Sequence, residues 1–442
     1  MIYLYVDNFR GFRDTLIPIL DVNFLVGENS TGKTSILSLL DLLGQPQFWL
    51  AQNFNAGESQ LGHFNDIVSA SSQDREYFKV GVIECAEPEK EDETHGKAKA
   101  FLLTFAEEEG LPIIHQYNRL YERDEIKIVF NAETIRYKSS KASSSCEHLA
   151  GILERFGEWI NEDESREDFQ VLQAKKIPFM FSRRRALVAI DMLAGILSEE
   201  EINDSETYKF SMRIPTFARR LTWIAPIRSV PKRTYDSYEI DFDPSGEHTP
   251  YLIKKFLSPG ASTAAFEEFI TLFGKESNLF ESIDIKSFGE QLTDPFELRA
   301  VLNETPLRVS EVGYGVSQVL PIVVEVFARS KGYWFAIQQP EIHLHPKAQA
   351  AIGDVIFKLA TEANKRFLIE THSDYIVDRF RLNYKNRQDP PDIASQVLFF
   401  ERNPDGNKVT PIEILENGEY SPSQPEAFRE FFILEELKLL GL

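Results

Sequence analysis

Apolar and polar positions alternate at the start of the chain, with Ile2, Leu4 and Val6 on one side and Tyr3, Tyr5 and Asp7 on the other. A period of two predicts a strand. Asn8–Arg13 breaks the pattern around Gly11, and a second strand follows over Thr15–Leu20. Val22–Val26 is a short apolar run of the kind that forms a buried strand. A glycine-bounded loop comes next, then a helix with apolar residues three and four apart, from Lys33 to about Leu43. Strand-like runs recur at Phe78–Glu84, Lys99–Phe105 and Ile126–Phe130, separated by charged hairpins of which Glu87–Glu93 is the most acidic. From Ser139 to about Arg220 the period lengthens. Cys146–Ile160 and Arg184–Leu197 read as helices, with a charged break at Asn161–Asp168. Residues 222–305 mix a strand at Leu221–Ala225, a Pro/Tyr-rich loop and helices. Strands return at Trp334–Ile337, Arg366–Glu370 and Gln396–Glu401, with helices between.

This rhythm predicts an α/β fold in four parts. They are an N-terminal lobe over 1–138, a helical insertion or arm over 139–221, a connecting segment over 222–305 and a C-terminal lobe over 306–442. The tail, Phe428–Leu440, has helical spacing and a mostly acidic polar face, which predicts packing against protein rather than lipid.

Composition narrows the class. The 442 residues are 43% hydrophobic and 26% charged, as in globular proteins. No apolar run reaches the ~18 residues that span a bilayer. Met1–Asp7 lacks the basic start of a signal peptide. The two cysteines, Cys85 and Cys146, are too few for a disulfide framework. A cytoplasmic protein with no membrane contact is the expectation. The net charge of −21 disfavours wrapping DNA over much of the surface, although a local basic stripe can still bind it. Arg183–Arg185 reads as a solvated helix start in preference to a nucleic-acid contact.

The chemistry is concentrated in Gly27-Glu28-Asn29-Ser30-Thr31-Gly32-Lys33-Thr34, which fits G-x-x-x-x-G-K-[ST] in full. The glycines let the backbone turn its N–H groups toward phosphate oxygens. The helix that follows aims its positive end at the same anion. Lys33 reaches the terminal phosphates, and Thr34 offers a hydroxyl to Mg²⁺. ATP with magnesium is the expected ligand.

Asn8-Phe9-Arg10-Gly11-Phe12 together with Val22–Thr34 resembles the N-terminal lobe of RecF/SMC-like ATPases, a branch of the ABC ATPases. The resemblance implies an ABC-type head with the rest of its ATP site far along the chain. Ser310–Gln318 resembles the signature motif, in which Gly313, Gly315, Ser317 and Gln318 would cap the ATP held by a second copy. Tyr333–Pro346 resembles the Walker B strand and its loop, and the ending Glu341-Ile342-His343-Leu344-His345-Pro346 is that of the OLD-related branch. His372 corresponds to the switch histidine, which orders the attacking water. Catalytic roles are therefore implied for Gln338, Glu341 and His372, and metal contact for Thr34 and Gln338.

Gln338 departs from the pattern, since the family has an acid there, and position 339 is an amide too. Either Gln338 is native and turnover is slow, or it is a Glu→Gln change that traps bound ATP. The intact remainder of the motif favours the second reading, in which Gln338→Glu raises turnover roughly tenfold or more. A metal pair of His343 and His345 with Glu341 is the minor alternative to simple loop packing. Arg228 and Arg233 suit phosphate, the partner subunit or pairing with the many carboxylates. Arg379, Arg381, Lys385 and Arg387 form the best local patch for DNA or an acidic protein.

OLD-family relatives carry a C-terminal nuclease, for which too little chain follows His372. The resemblance thus implies a self-associating ATPase subunit that controls a separate effector, such as a nuclease, in anti-phage defence. The alternatives are a RecF-like ATPase that clamps DNA directly and a binding module without useful turnover.

Overall fold

The computed structural model describes residues 1–429 other than 71, 73, 86–97, 122–123, 132–133, 144–145, 147, 162–168, 174–185, 198–219, 261–262, 388 and 390. The acidic hairpin, the Arg183–Arg185 cluster and the tail beyond Arg429 lie outside the described residues.

The chain opens with β1 (Ile2–Asp7), β2 (Thr15–Ile19), β3 (Val22–Gly27), α1 (Lys33–Gly44), α2 (Pro46–Ala51) and α3 (Phe64–Ile67). Next come β4 (Tyr77–Cys85), β5 (Ala98–Glu108), β6 (Leu111–Tyr121), β7 (Asp124–Phe130), β8 (Thr134–Lys141), α4 (Leu149–Asn161), β9 (Gln170–Gln173) and α5 (Leu187–Leu197). The later half holds β10 (Leu221–Ile224), α6 (Thr249–Leu257), α7 (Thr263–Ser277), β11 (Ser282–Ser287), β12 (Phe296–Leu302) and β13 (Thr305–Arg308). It continues through α8 (Tyr314–Ala328), β14 (Trp334–Gln338), α9 (Pro346–Ala363), β15 (Arg366–Glu370), α10 (Asp374–Lys385), β16 (Ser395–Asn403) and β17 (Gly406–Ile414).

Two compact units result. One comprises Met1–Leu20, Asn29–Arg219 and Phe400–Val409. Its eight-stranded sheet has the order β2-β1-β4-β5-β6-β7-β8-β9, and every pairing is antiparallel. The β5–β6 turn is Glu109-Gly110, both with positive φ (55° and 81°), which matches the twist of a tight hairpin. Ile152, Phe156 and Trp159 of α4 pack on Tyr5, Ile83, Leu102 and Leu120 of the sheet, together with Cys146. Each such buried side chain contributes about 1.5–3 kcal/mol. Gly81 makes room for Phe156, whose ring stands 2.5 Å from where a Cβ would lie. Asp191 of α5 accepts bonds from Tyr117 (2.9 Å) and Arg119 (2.8 Å) of β6. The periodicity of 139–221 reads as helical, yet its described residues also include β9, which extends the sheet beyond β8.

The other unit comprises Asp21–Glu28, Arg220–Phe399 and Thr410–Leu442. Its sheet has the order β10-β14-β15-β3-β16-β17, and β10, β14, β15 and β3 run parallel. Every residue of β3 and β14 is buried. Parallel strands covered on both faces carry such unbroken apolar runs. Val22, Phe24, Phe335, Ile337, Phe367 and Ile369 join residues of α7, α8, α9 and α10 in one core. A smaller antiparallel sheet, β11-β12-β13, was not anticipated from the mixed pattern of 222–305. Deep in this unit His248 Nδ1 accepts the Asp243 N–H at 3.1 Å, so Nε2 carries the proton given to Glu325 at 2.9 Å. Arg329 also pairs with Glu325.

Candidate functional site

The loop Gly27–Thr34 has positive φ at Gly27 (146°), Ser30 (62°) and Gly32 (94°). This backbone is the one that directs successive N–H groups inward around an anion. Gly32 is needed twice over, since a Cβ there would also lie 2.5 Å from the Phe12 ring. Phe12 is fully buried in a tight turn in which Phe9 and Phe12 exchange backbone bonds at 3.1 and 2.8 Å. The Phe-Arg-Gly-Phe segment thus builds the floor beneath Gly32. Helix α1 begins at Lys33 with no side-chain cap, and a helix N-terminus is an end that favours an anion. Lys33 and Thr31 are buried, whereas Glu28, Asn29, Ser30 and Thr34 are exposed.

A polar cluster gathers at the C-terminal ends of β14 and β15, the edge where open parallel sheets bind ligands. Gln338 pairs in register with Glu370, and its Nε2 donates to Glu370 Oε2 at 3.1 Å. The Gln339 N–H donates to the Glu370 carbonyl at 2.7 Å. Glu341 accepts the Thr371 hydroxyl on Oε2 (2.8 Å) and the His372 backbone N–H on Oε1 (2.7 Å). With an oxygen given to each bond, Glu341 holds the His372 segment in place. Ser373 caps α10 and donates to Gln349 Oε1 at 2.5 Å. His372 itself is exposed at the end of this segment.

Arg228, in the loop after β10, is 4% exposed and donates to the Gln338 carbonyl at 3.1 Å. Its Nε and Nη1 have no hydrogen-bond partner among the described residues. Burial pulls its guanidinium down to about 10, against the opposing pull of Glu341.

The signature segment starts α8, with Gly313 as its N-cap residue. Gly313 and Tyr314 are exposed, while Gly315, Ser317 and Gln318 are buried. The Ser317 hydroxyl donates to the Tyr314 carbonyl at 2.8 Å, so the outward surface here is Gly313 and Tyr314. A Cβ on Gly315 would stand 3.3 Å from the His343 carbonyl, which shows how closely α8 meets the loop after β14. The Tyr314 and His343 rings are 5.8 Å apart. His345 caps α9 by accepting the Ala348 N–H.

Magnesium takes oxygen donors, keeps several waters and needs only one or two carboxylates beside phosphate. The Glu370 carboxylate and the Gln338 amide oxygen are donors of that class. Among the described residues no group of three His, Cys, Asp or Glu is placed to cage a metal, so the His343–His345–Glu341 alternative has no support. The basic patch is largely occupied. Arg379 pairs with Asp354 (3.0 Å), and Arg381 pairs with Asp378 (2.8 Å) and lies 3.7 Å over the Tyr420 ring. Arg387 lies 5.3 Å over Phe357. Sequence reasoning missed Glu370 and Thr371 as members of the cluster, because register alone brings them there.

The family described as "AAA ATPase domain" matches residues 1–243 and 233–377. No curated protein matches significantly. The chain is similar to the Smc head domain of Pyrococcus furiosus bound to the C-terminal domain of ScpA, at 13% identity over 99% of this chain and 100% of that one, with a TM-score of 0.41. The SMC head domain from Thermotoga maritima gives 12% identity, 93% and 98% coverage and a TM-score of 0.36. The recombination mediator RecF gives 13%, 92% and 97% coverage and 0.31. At these scores the likeness is distant, and the family match carries the assignment. No described helix is long and apolar enough to cross a membrane.

Proposed function

Because the chain belongs to the AAA ATPase domain family, we propose that it is an ABC-type subunit that binds and hydrolyses ATP and closes on a second copy of itself. The observation that carries this reading is the glycine-shaped loop ending at an uncapped helix start, followed later in the chain by the Gln338–Glu370–Glu341–His372 cluster at a parallel-sheet edge. Water attack on a terminal phosphate needs positioning and charge neutralisation more than covalent chemistry. Lys33 and the loop N–H groups hold phosphate, and His372 orders the water. Magnesium, when bound, would supply charge neutralisation at the phosphates. Gln338 and Glu370, at the ends of adjacent strands, are residues that would hold it or its waters.

Gly313 and Tyr314 face outward at a helix N-terminus, which suits capping of a nucleotide held by the other copy. Exposed Ile227 (81%) and Val230 (70%), flanking buried Arg228, are apolar surface that such a copy would cover. Binding closes the pair and hydrolysis opens it. The role served is that of sensor and scaffold for a separate effector, such as a nuclease, in anti-phage defence. The paired state of Arg379 and Arg381 and the charge of −21 favour this over a RecF-like DNA clamp.

Sedimentation with and without ATP and magnesium tests the core of the reading. Dimerisation that needs ATP and is lost in Lys33→Ala is expected. A mass indifferent to nucleotide overturns it. ATP-dependent DNA affinity that falls steeply with salt would transfer the role to the DNA clamp.

A further inference from the structure

ATP chemistry with magnesium needs a carboxylate beside the phosphates, and β14 ends in two amides, Gln338 and Gln339. We propose that Glu370, on the neighbouring strand β15, supplies that carboxylate, with Gln338 as its positioning residue. The inference rests on the ATP-binding reading above.

Register makes the case first. Gln338 and Glu370 are direct partners on adjacent strands, so their side chains leave the sheet on the same face. Glu370 therefore presents its carboxylate at the same edge as the expected acid position. It also stands one strand closer to the phosphate loop. The sheet order is β14-β15-β3, Glu370 pairs with Leu25, and β3 runs on into Gly27.

Charge makes the case second. Glu370 is 5% exposed and Gln338 is 8% exposed. Burial makes an acid at this edge costly unless its surroundings compensate it, and Gln338 is one of the groups that do so. The Gln338 amide supplies one hydrogen bond at 3.1 Å and fixes which oxygen is turned toward β14. One carboxylate plus one amide carries the same charge as a lone acid at position 338. A glutamate at both positions would set two like charges within hydrogen-bonding distance, and they would not both ionise. Glu341, the other nearby acid, already spends both oxygens on Thr371 and His372. On this view Gln338 is the matched companion of Glu370, not a defect in the site.

The test is calorimetric titration of the full chain with ATP, in magnesium and in EDTA, for wild type, Glu370→Gln and the exchange Gln338→Glu/Glu370→Gln. Wild type is expected to bind ATP more tightly with magnesium. Glu370→Gln is expected to lose about tenfold or more of that gain while keeping its unliganded melting temperature. The exchange, which moves the charge one strand over, recovers most of it. Gln338→Glu alone leaves hydrolysis unimproved. Glu370→Gln with undiminished magnesium dependence overturns the proposal, as does a tenfold rise in hydrolysis from Gln338→Glu alone. If Glu370→Gln does not fold, Glu370→Asp makes the same comparison. Its shortened reach weakens the magnesium gain if the proposal holds and leaves it unchanged if it does not. A wild type that binds no ATP in either buffer overturns the ATP reading beneath it as well.

Discussion

The Glu341 carboxylate accepts the backbone N–H of His372 at 2.7 Å, and so ties the loop after β14 to the segment after β15. With the second oxygen held by Thr371, Glu341 acts on where His372 stands rather than on the water itself. Replacing it with alanine removes two charge-assisted bonds, each worth about 1.5–3 kcal/mol. Glu341→Ala is expected to lower kcat by about a hundredfold while changing ATP affinity little. Glu341→Gln, which keeps an acceptor oxygen, falls between. Steady-state kinetics beside equilibrium ATP binding separates the two effects. Equal losses in both would place Glu341 in nucleotide binding instead.

Gly32→Ala meets two obstacles, a φ of 94° and the Phe12 ring 2.5 Å from the new methyl. A cost of about 1–3 kcal/mol is expected from the backbone alone. Urea unfolding should show that loss, and ATP binding should disappear. Phe12→Ala in the same chain relieves the clash but not the dihedral, and it empties a fully buried position at about 3–5 kcal/mol, so stability does not return.

Glu325 is 2% exposed and is held by His248 and Arg329. Removing one member of a buried pair leaves the others uncompensated, at about 3–5 kcal/mol. Glu325→Ala should show a loss of that order by denaturant titration. Asp378→Ala breaks the exposed pair with Arg381 and should cost under about 1 kcal/mol. Similar losses for the two would contradict the burial argument.

Alkaline stability follows from Lys365 and two tyrosines. Burial lowers Lys365 to about 8, against the pull of Glu325. Between about pH 8 and its unfolded value near 10.5, the unfolded chain binds more protons than the folded one, so stability rises with pH. Burial raises Tyr384 and Tyr420 to about 12, so above pH 10 the folded chain keeps protons that the unfolded chain has lost, and stability falls. Denaturant titrations across this range should show a maximum near pH 10. Lys365→Met should flatten the rising limb and leave the falling limb intact.

Local signals were read well where a single element carried them. The start of α1 at Lys33 and the whole of β15, Arg366–Glu370, coincide with their sequence readings. Partnership across elements was not legible. Glu370 joins Gln338 because two strands separated by an 18-residue helix lie in parallel register, and nothing in either segment states that register. The hairpin of β12 and β13 was hidden for another reason. Its turn is Asn303-Glu304 with φ of 48° and 61°, a two-residue geometry that glycine usually announces. Arg379 meets Asp354 and Arg381 meets Tyr420 across the fold, contacts that no local pattern announced, whereas Asp378 stands one helical turn from Arg381.

The loop between β14 and α9 carries left-handed backbone at Gln339 (43°) and His343 (61°), on either side of Pro340. Its N–H groups at Gln339, Ile342 and Leu344 are all spoken for, by Glu370, Gln339 and Glu341. Little conformational freedom is left here to surrender when a nucleotide or a second copy arrives. Association at this surface should therefore carry a small entropic penalty, the ordering having been completed when the chain folded.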